Sequence, residues 1–213
     1  MMIHAYQECY LNSAKRNIGI AFDYAINVCK ISGADFVNMF LISNISKRIE
    51  NGEPLYLKGK SGIEIAKEII EQSTGKEIEY KEIINYEKSK EYWIGYAITY
   101  YQWYSNKKFR LIFNAISYYD LEKMYFTLHE ADISKLVEIL NDIFKKKYPD
   151  TNLKRIRMEA NLTQTELAKR SGVSLRSIQM YEQKNKDINK ANVTSLYMLS
   201  KVLNCNIEDL IEK

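Results

Sequence analysis

The sequence predicts an all-α fold in two domains, a helical domain over residues 1–148 and a smaller five-helix domain over 149–213. Three observations predict it. Apolar residues recur at three- and four-residue spacing along most of the chain, the period of amphipathic helices. Hydrophobic content is 46% with only 2 Pro in 213 residues, so the chain is globular rather than disordered. Charge and rings are also sorted between the halves. Residues 1–150 carry 20 Lys+Arg against 20 Asp+Glu, whereas 151–213 carry 11 against 7, the whole of the net +4. Of 17 Tyr and 2 Trp, just Tyr181 and Tyr197 follow residue 150.

In the first half, Tyr6, Tyr10, Ile18, Phe22, Ala25, Ile26 and Cys29 mark one helix over 5–31, closed by Gly33. Asp35 is placed to cap a second helix through Phe36, Met39, Phe40, Ile42, Ile45 and Ile49. Asn51-Gly52-Glu53-Pro54 breaks it, and Leu55-Tyr56-Leu57 reads as a short extended link. Ser61 with Glu64 opens another helix as a capping box, which ends near Gly75. Glu77 to Asn85 alternates weakly and is the one candidate strand. An aromatic helix follows over 91–104, then helices near 107–115, 118–129 (cap Ser117) and 132–147 (cap Asp132). Within the aromatic helix, Trp93, Tyr96, Tyr100 and Trp103 stand at offsets of three, four and three, so they share one face. That face serves either as core or as a partner-binding surface, because Tyr and Trp are enriched at interface hot spots.

The second half needs helices near 151–160, 163–170, 174–182, 190–203 and 207–212. Its centre is Leu162 to Glu182. Thr163 and Glu166 make a capping box, Gly172 supplies the strained backbone of a sharp turn, and Ser174 caps the next helix. Two short helices joined by a glycine-containing turn are the helix-turn-helix pattern. The net positive charge of the chain surrounds this segment, as a phosphate backbone would require.

Leu153, Arg157, Leu162-Thr163-Gln164, Leu167-Ala168, Gly172-Val173-Ser174, Ile178, Tyr181, Glu182, Leu199, Leu203 and Leu210 carry a resemblance to a known family. From Leu153 to Leu210 the chain resembles the Cro/C1-type helix-turn-helix family of phage and bacterial repressors. The resemblance implies a five-helix domain whose third helix enters the major groove of double-stranded DNA, bound as a homodimer. It places Leu175, Arg176, Gln179 and Met180 at base edges. Arg176 suits guanine, Gln179 suits adenine, and Leu175 or Met180 suits a thymine methyl. It places Gln164 on a phosphate, with Ser174, Ser177, Lys184 and Lys186 as further phosphate contacts. The pattern departs after Glu182, where members often continue with Gly and later Pro and this chain reads Gln183 and Ile188. The first half is similar to uncharacterised helical regions preceding such domains in bacterial regulators. That likeness implies sensing, oligomerisation or binding of a protein partner, toxin-like in some cases.

Other chemistry is faint. Lys58-Gly59-Lys60-Ser61 ends like a phosphate loop, but Pro54 stands where its first Gly belongs, so the helix cap is the better reading. His129-Glu130 begins a zinc motif that no second His completes, and His4 is the other histidine of the chain. No metal, cofactor or enzymatic activity is expected, with an unrecognised activity of the first half as the alternative. No apolar run reaches a membrane span of about 20 residues. Cys9, Cys29 and Cys205 form no disulfide framework, and MMIHAYQECY lacks a secretory pattern, so a cytoplasmic location is expected.

Overall fold

The computed structural model describes residues 4–76 and 89–212. All regular structure in these residues is helical, as the spacing predicts. The candidate strand at 77–85 lies outside the described residues. Backbone contacts divide the chain into two compact units, Met1–Ile143 and Phe144–Lys213.

The first unit is built around α1 (Leu11–Asp23), against which α4 (Gly62–Thr74) and α5 (Lys90–Ser105) pack. Glycine sets how closely they cross. A Cβ on Gly95 would stand 2.6 Å from the Ile18 carbonyl oxygen, and one on Gly62 would stand 2.3 Å from the Asn17 oxygen. Any larger residue at either position would push the backbones apart. Beside this crossing, α2 (Gly33–Ile42) and α6 (Phe109–Ala115) complete an aromatic core. Phe22 meets Phe36 edge-on at 5.0 Å, and Phe40 meets Phe109 edge-on at 4.9 Å. The remaining helices are α3 (Asn44–Glu50), α7 (Tyr118–Leu128) and α8 (Ile133–Lys147), the last running into the second unit.

Several local expectations are corrected. The single helix over 5–31 is a 3-10 turn at Glu8–Tyr10, then α1, then a π turn at Tyr24–Val28. Gly33 opens α2 instead of closing its predecessor, and the Tyr118 ring occupies the space a Cβ there would fill. Ser32 is the cap of α2. Asp35 sits three residues on, its carboxylate accepting the Ser32 hydroxyl at 2.6 Å. The helix expected through Ile49 breaks at Ser43, whose backbone is extended (φ −63°, ψ 157°). Residues 55–57 are not extended. They begin a π turn, Leu55–Gly59, fastened to α1 by the buried Asn17 amide, which donates to the Lys60 carbonyl at 2.9 Å. The capping boxes at Ser61–Glu64 and Ser117–Asp120 form as the local pattern requires.

The second unit contains α9 (Asn152–Glu159), α10 (Gln164–Ser171), α11 (Leu175–Glu182), a 3-10 turn (Ile188–Lys190), α12 (Val193–Leu203) and α13 (Ile207–Leu210). Leu153, Leu167, Ile178, Tyr181, Leu199 and Leu210 are among the side chains of one shared core. The helix expected from 190 starts at Val193, because Asn192 caps it and the residues before Ala191 close into the 3-10 turn. The end of the described chain is tied back. Glu212 accepts the Asn152 amide at the start of α9 and exchanges two further hydrogen bonds with Asn189.

Candidate nucleic-acid interface

The interface begins with caps that fix the ends of two short helices. Thr163 Oγ1 accepts the Glu166 amide at 3.1 Å, and the Glu166 carboxylate accepts the Thr163 amide at 2.8 Å. That backbone bond, together with the Thr163 hydroxyl donating to the same carboxylate at 2.8 Å, holds the Glu166 carboxyl below its usual range. Gly172 then ends α10 with φ 70°, a left-handed conformation glycine adopts without steric cost. Two residues later Ser174 starts α11, accepting the Ser177 amide at 3.2 Å and donating to the Ser177 hydroxyl at 2.8 Å.

Helix α11 is anchored on one face and open on the other. Ile178 and Tyr181 are buried in the core. Leu175 and Arg176 are exposed, and Gln179 and Met180 are half-buried. The four residues expected at base edges thus share the outward side of one helix, with no salt bridge to Arg176 among the described residues.

The end of α11 is held by a buried hub that the sequence reading missed. Arg157 on α9 donates from Nε and Nη2 to the two oxygens of Glu182 at 2.7 and 2.8 Å. Its Nη1 donates to the Leu162 carbonyl at 2.7 Å. The two side chains are only 10% and 2% exposed, so the pair is desolvated and its bonds carry weight. Hydrogen bonding to Glu182 raises the Arg157 pKa above its already high value. Gln164 joins the hub, donating from Nε2 to Glu182 at 2.7 Å. One carboxylate therefore joins α9, the first residue of α10 and the last residue of α11. The signal available in sequence was a register: Arg157 lies four residues after Leu153, and Glu182 four after Ile178, both on core-facing positions.

The residues expected on phosphates are less uniformly open. Ser174 and Ser177 are engaged with each other, Gln164 with Glu182, and Lys184 with the Pro149 carbonyl at 3.1 Å. The Lys186 ammonium sits over the Tyr181 ring, 5.3 Å from its centre. The turn after Glu182, where the sequence departs from the family pattern, is built without glycine. Gln183 keeps an ordinary backbone (φ −85°), and Lys184 takes the left-handed one (φ 61°). There the Lys184 and Asn185 amides donate to the Tyr181 and Met180 carbonyls, closing α11 without glycine.

In the first unit Trp93, Tyr96 and Tyr100 of the aromatic stripe are half-buried and Trp103 is buried. Trp93 meets Tyr125 edge-on at 5.7 Å, and the Lys15 ammonium lies 4.7 and 5.4 Å from the Tyr96 and Tyr100 ring centres. Trp103 is 5% exposed, stacked on His4 at 3.8 Å, and its Nε1 donates to the Tyr6 carbonyl at 2.8 Å. The N-terminal segment that crosses the end of α5 is what buries it. Among the described residues no group of His, Cys, Asp and Glu is arranged to hold a metal ion, and no helix is long and apolar enough to cross a membrane.

Residues 153–210 match the helix-turn-helix family model HTH_3. This segment is a helix-turn-helix domain. The match supports a DNA-binding, transcription-regulating protein, and α10 and α11 are the two helices on either side of the Gly172 turn. Comparison with curated proteins and with solved structures finds no match to the chain.

Proposed function

We propose that this protein is a sequence-specific transcriptional regulator, a repressor or autoregulator, that reads the major groove with α11. The observation that carries the reading is the sidedness of that helix. Leu175, Arg176, Gln179 and Met180 face outward, while Ile178, Tyr181 and Glu182 lock the opposite face. Base recognition needs this rigidity, since a bidentate contact tolerates little displacement. Arg176 and Gln179 are three residues apart, hence on one helix face, and read a guanine and an adenine in the same half-site. Ser174, Ser177, Lys184 and Lys186 position the helix on the backbone, with Gln164 dividing its amide between Glu182 and a phosphate. A second copy of the chain doubles the few base pairs one recognition helix can cover. The operator is then two-fold, with half-site centres ~34 Å apart.

Competition binding with single-base-pair variants of the selected site tests the register. Arg176→Ala costs about 1–3 kcal/mol and relaxes preference at one base pair. Unchanged affinity together with unchanged preference would show that Arg176 does not reach a base.

A further inference from the structure

We propose that Lys145, Lys146 and Lys147, at the C-terminal end of α8, form a second grip on the DNA backbone beside the recognition helix. The proposal rests on the DNA-binding reading above and adds to it a surface outside the helix-turn-helix match.

The first support is where the chain divides. The second unit begins at Phe144, so these lysines belong to the body that carries the helix-turn-helix. Counted at that boundary, residues 144–213 hold 14 Lys+Arg against 8 Asp+Glu, and residues 1–143 hold 17 against 19. The run turns a moderately basic unit into one of net +6 and leaves the remainder slightly acidic. Asp150, three residues after Lys147, is paired with the Lys154 ammonium at 2.7 Å.

The second support is position. Lys184 lies two residues beyond α11, and its ammonium donates to the Pro149 carbonyl at 3.1 Å. The segment leaving α8 is therefore pinned at the end of the recognition helix. Lys147 is two residues from Pro149, a reach of at most about 7 Å along the chain. The last turn of α8 is itself held, with Phe144 buried, its ring 5.7 Å from that of Tyr148, and the Tyr148 amide on the Phe144 carbonyl. All three lysines are exposed.

Lysines at a helix C-terminus also complement the helix dipole. That role predicts an effect on stability but none on how DNA affinity depends on salt. Helix geometry limits the alternative as well. Consecutive residues step about 100° around the axis, so three of them cover too wide an arc for all to face one duplex. The run thus adds one or two phosphate contacts rather than three.

The test uses the full chain with Lys145, Lys146 and Lys147 all changed to Gln, and with all three changed to Arg. Fluorescence anisotropy is recorded on the selected duplex and on an unrelated one, over roughly 50–200 mM salt. The Gln variant is expected to bind both duplexes roughly three- to tenfold more weakly than wild type at the low-salt end of that range, with a salt slope shallower by about one to two. Its preference between the two duplexes is unchanged, and the Arg variant keeps the wild-type slope. A wild-type slope in a Gln variant with wild-type helical circular dichroism overturns the proposal. So does an altered preference, which would mean that the lysines act by placing α11. Absence of salt-sensitive binding in the wild type would sink the DNA-binding reading itself.

Discussion

Glu182 illustrates how much of this domain rests on single side chains. Its carboxylate takes two bonds from Arg157 and one from Gln164 in a nearly dry environment. Removing it strands the Arg157 charge and frees the first residue of α10. Glu182→Ala is therefore expected to destabilise the helix-turn-helix unit by about 3–5 kcal/mol, measured by denaturant unfolding. A loss below ~1 kcal/mol would show that Arg157 finds water or another partner. Gln164 also shows the limit of reading a role from a sequence position. The resemblance places it on a phosphate, whereas in the free protein its amide is already spent on Glu182. The face on which Arg176 and Gln179 lie was legible because the family register assigns it and Ile178 fixes the opposite one. The hub was not, because a charge at a core-facing register does not reveal its partner 25 residues away.

At the level of elements, local chemistry was readable and tertiary constraint was not. The boxes at Ser61–Glu64, Ser117–Asp120 and Thr163–Glu166 form because both partners lie within one turn. The break at Ser43 and the π turns at Tyr24–Val28 and Leu55–Gly59 carry no four-residue signal: the Asn44 amide after the break donates to Gln72 of α4, and Asn17 of α1 holds the end of the Leu55–Gly59 turn. The crossing of α1 and α5 is the clearest case. Gly95 inside an aromatic helix looks like a weak point by propensity, since Ala is favoured there by about 1 kcal/mol. The backbone of α1 occupies the space instead. Gly95→Ala is expected to lose about 1–3 kcal/mol net from overpacking, seen as a lower thermal midpoint. A midpoint equal to or above wild type would contradict so close a crossing.

For the molecule as a whole, the division of labour follows charge. The aromatic unit builds a core from rings and from helices in near backbone contact; of its Trp93, Tyr96, Tyr100 and Trp103 stripe, Trp103 is buried in that core and the other three are half-buried. The basic unit is small, held by an apolar core and the buried Arg157–Glu182 ion pair, and presents the outward face of α11. Charge partition pointed to two domains from the sequence alone, and it also pointed to the half that carries the helix-turn-helix. The most direct measurement is selection of bound sites from random duplexes by the full-length protein, followed by salt titration on the recovered site. A two-fold site is predicted, with guanine and adenine in each half and log affinity falling linearly with log salt. No enrichment of any sequence, with affinity independent of salt, would contradict the account.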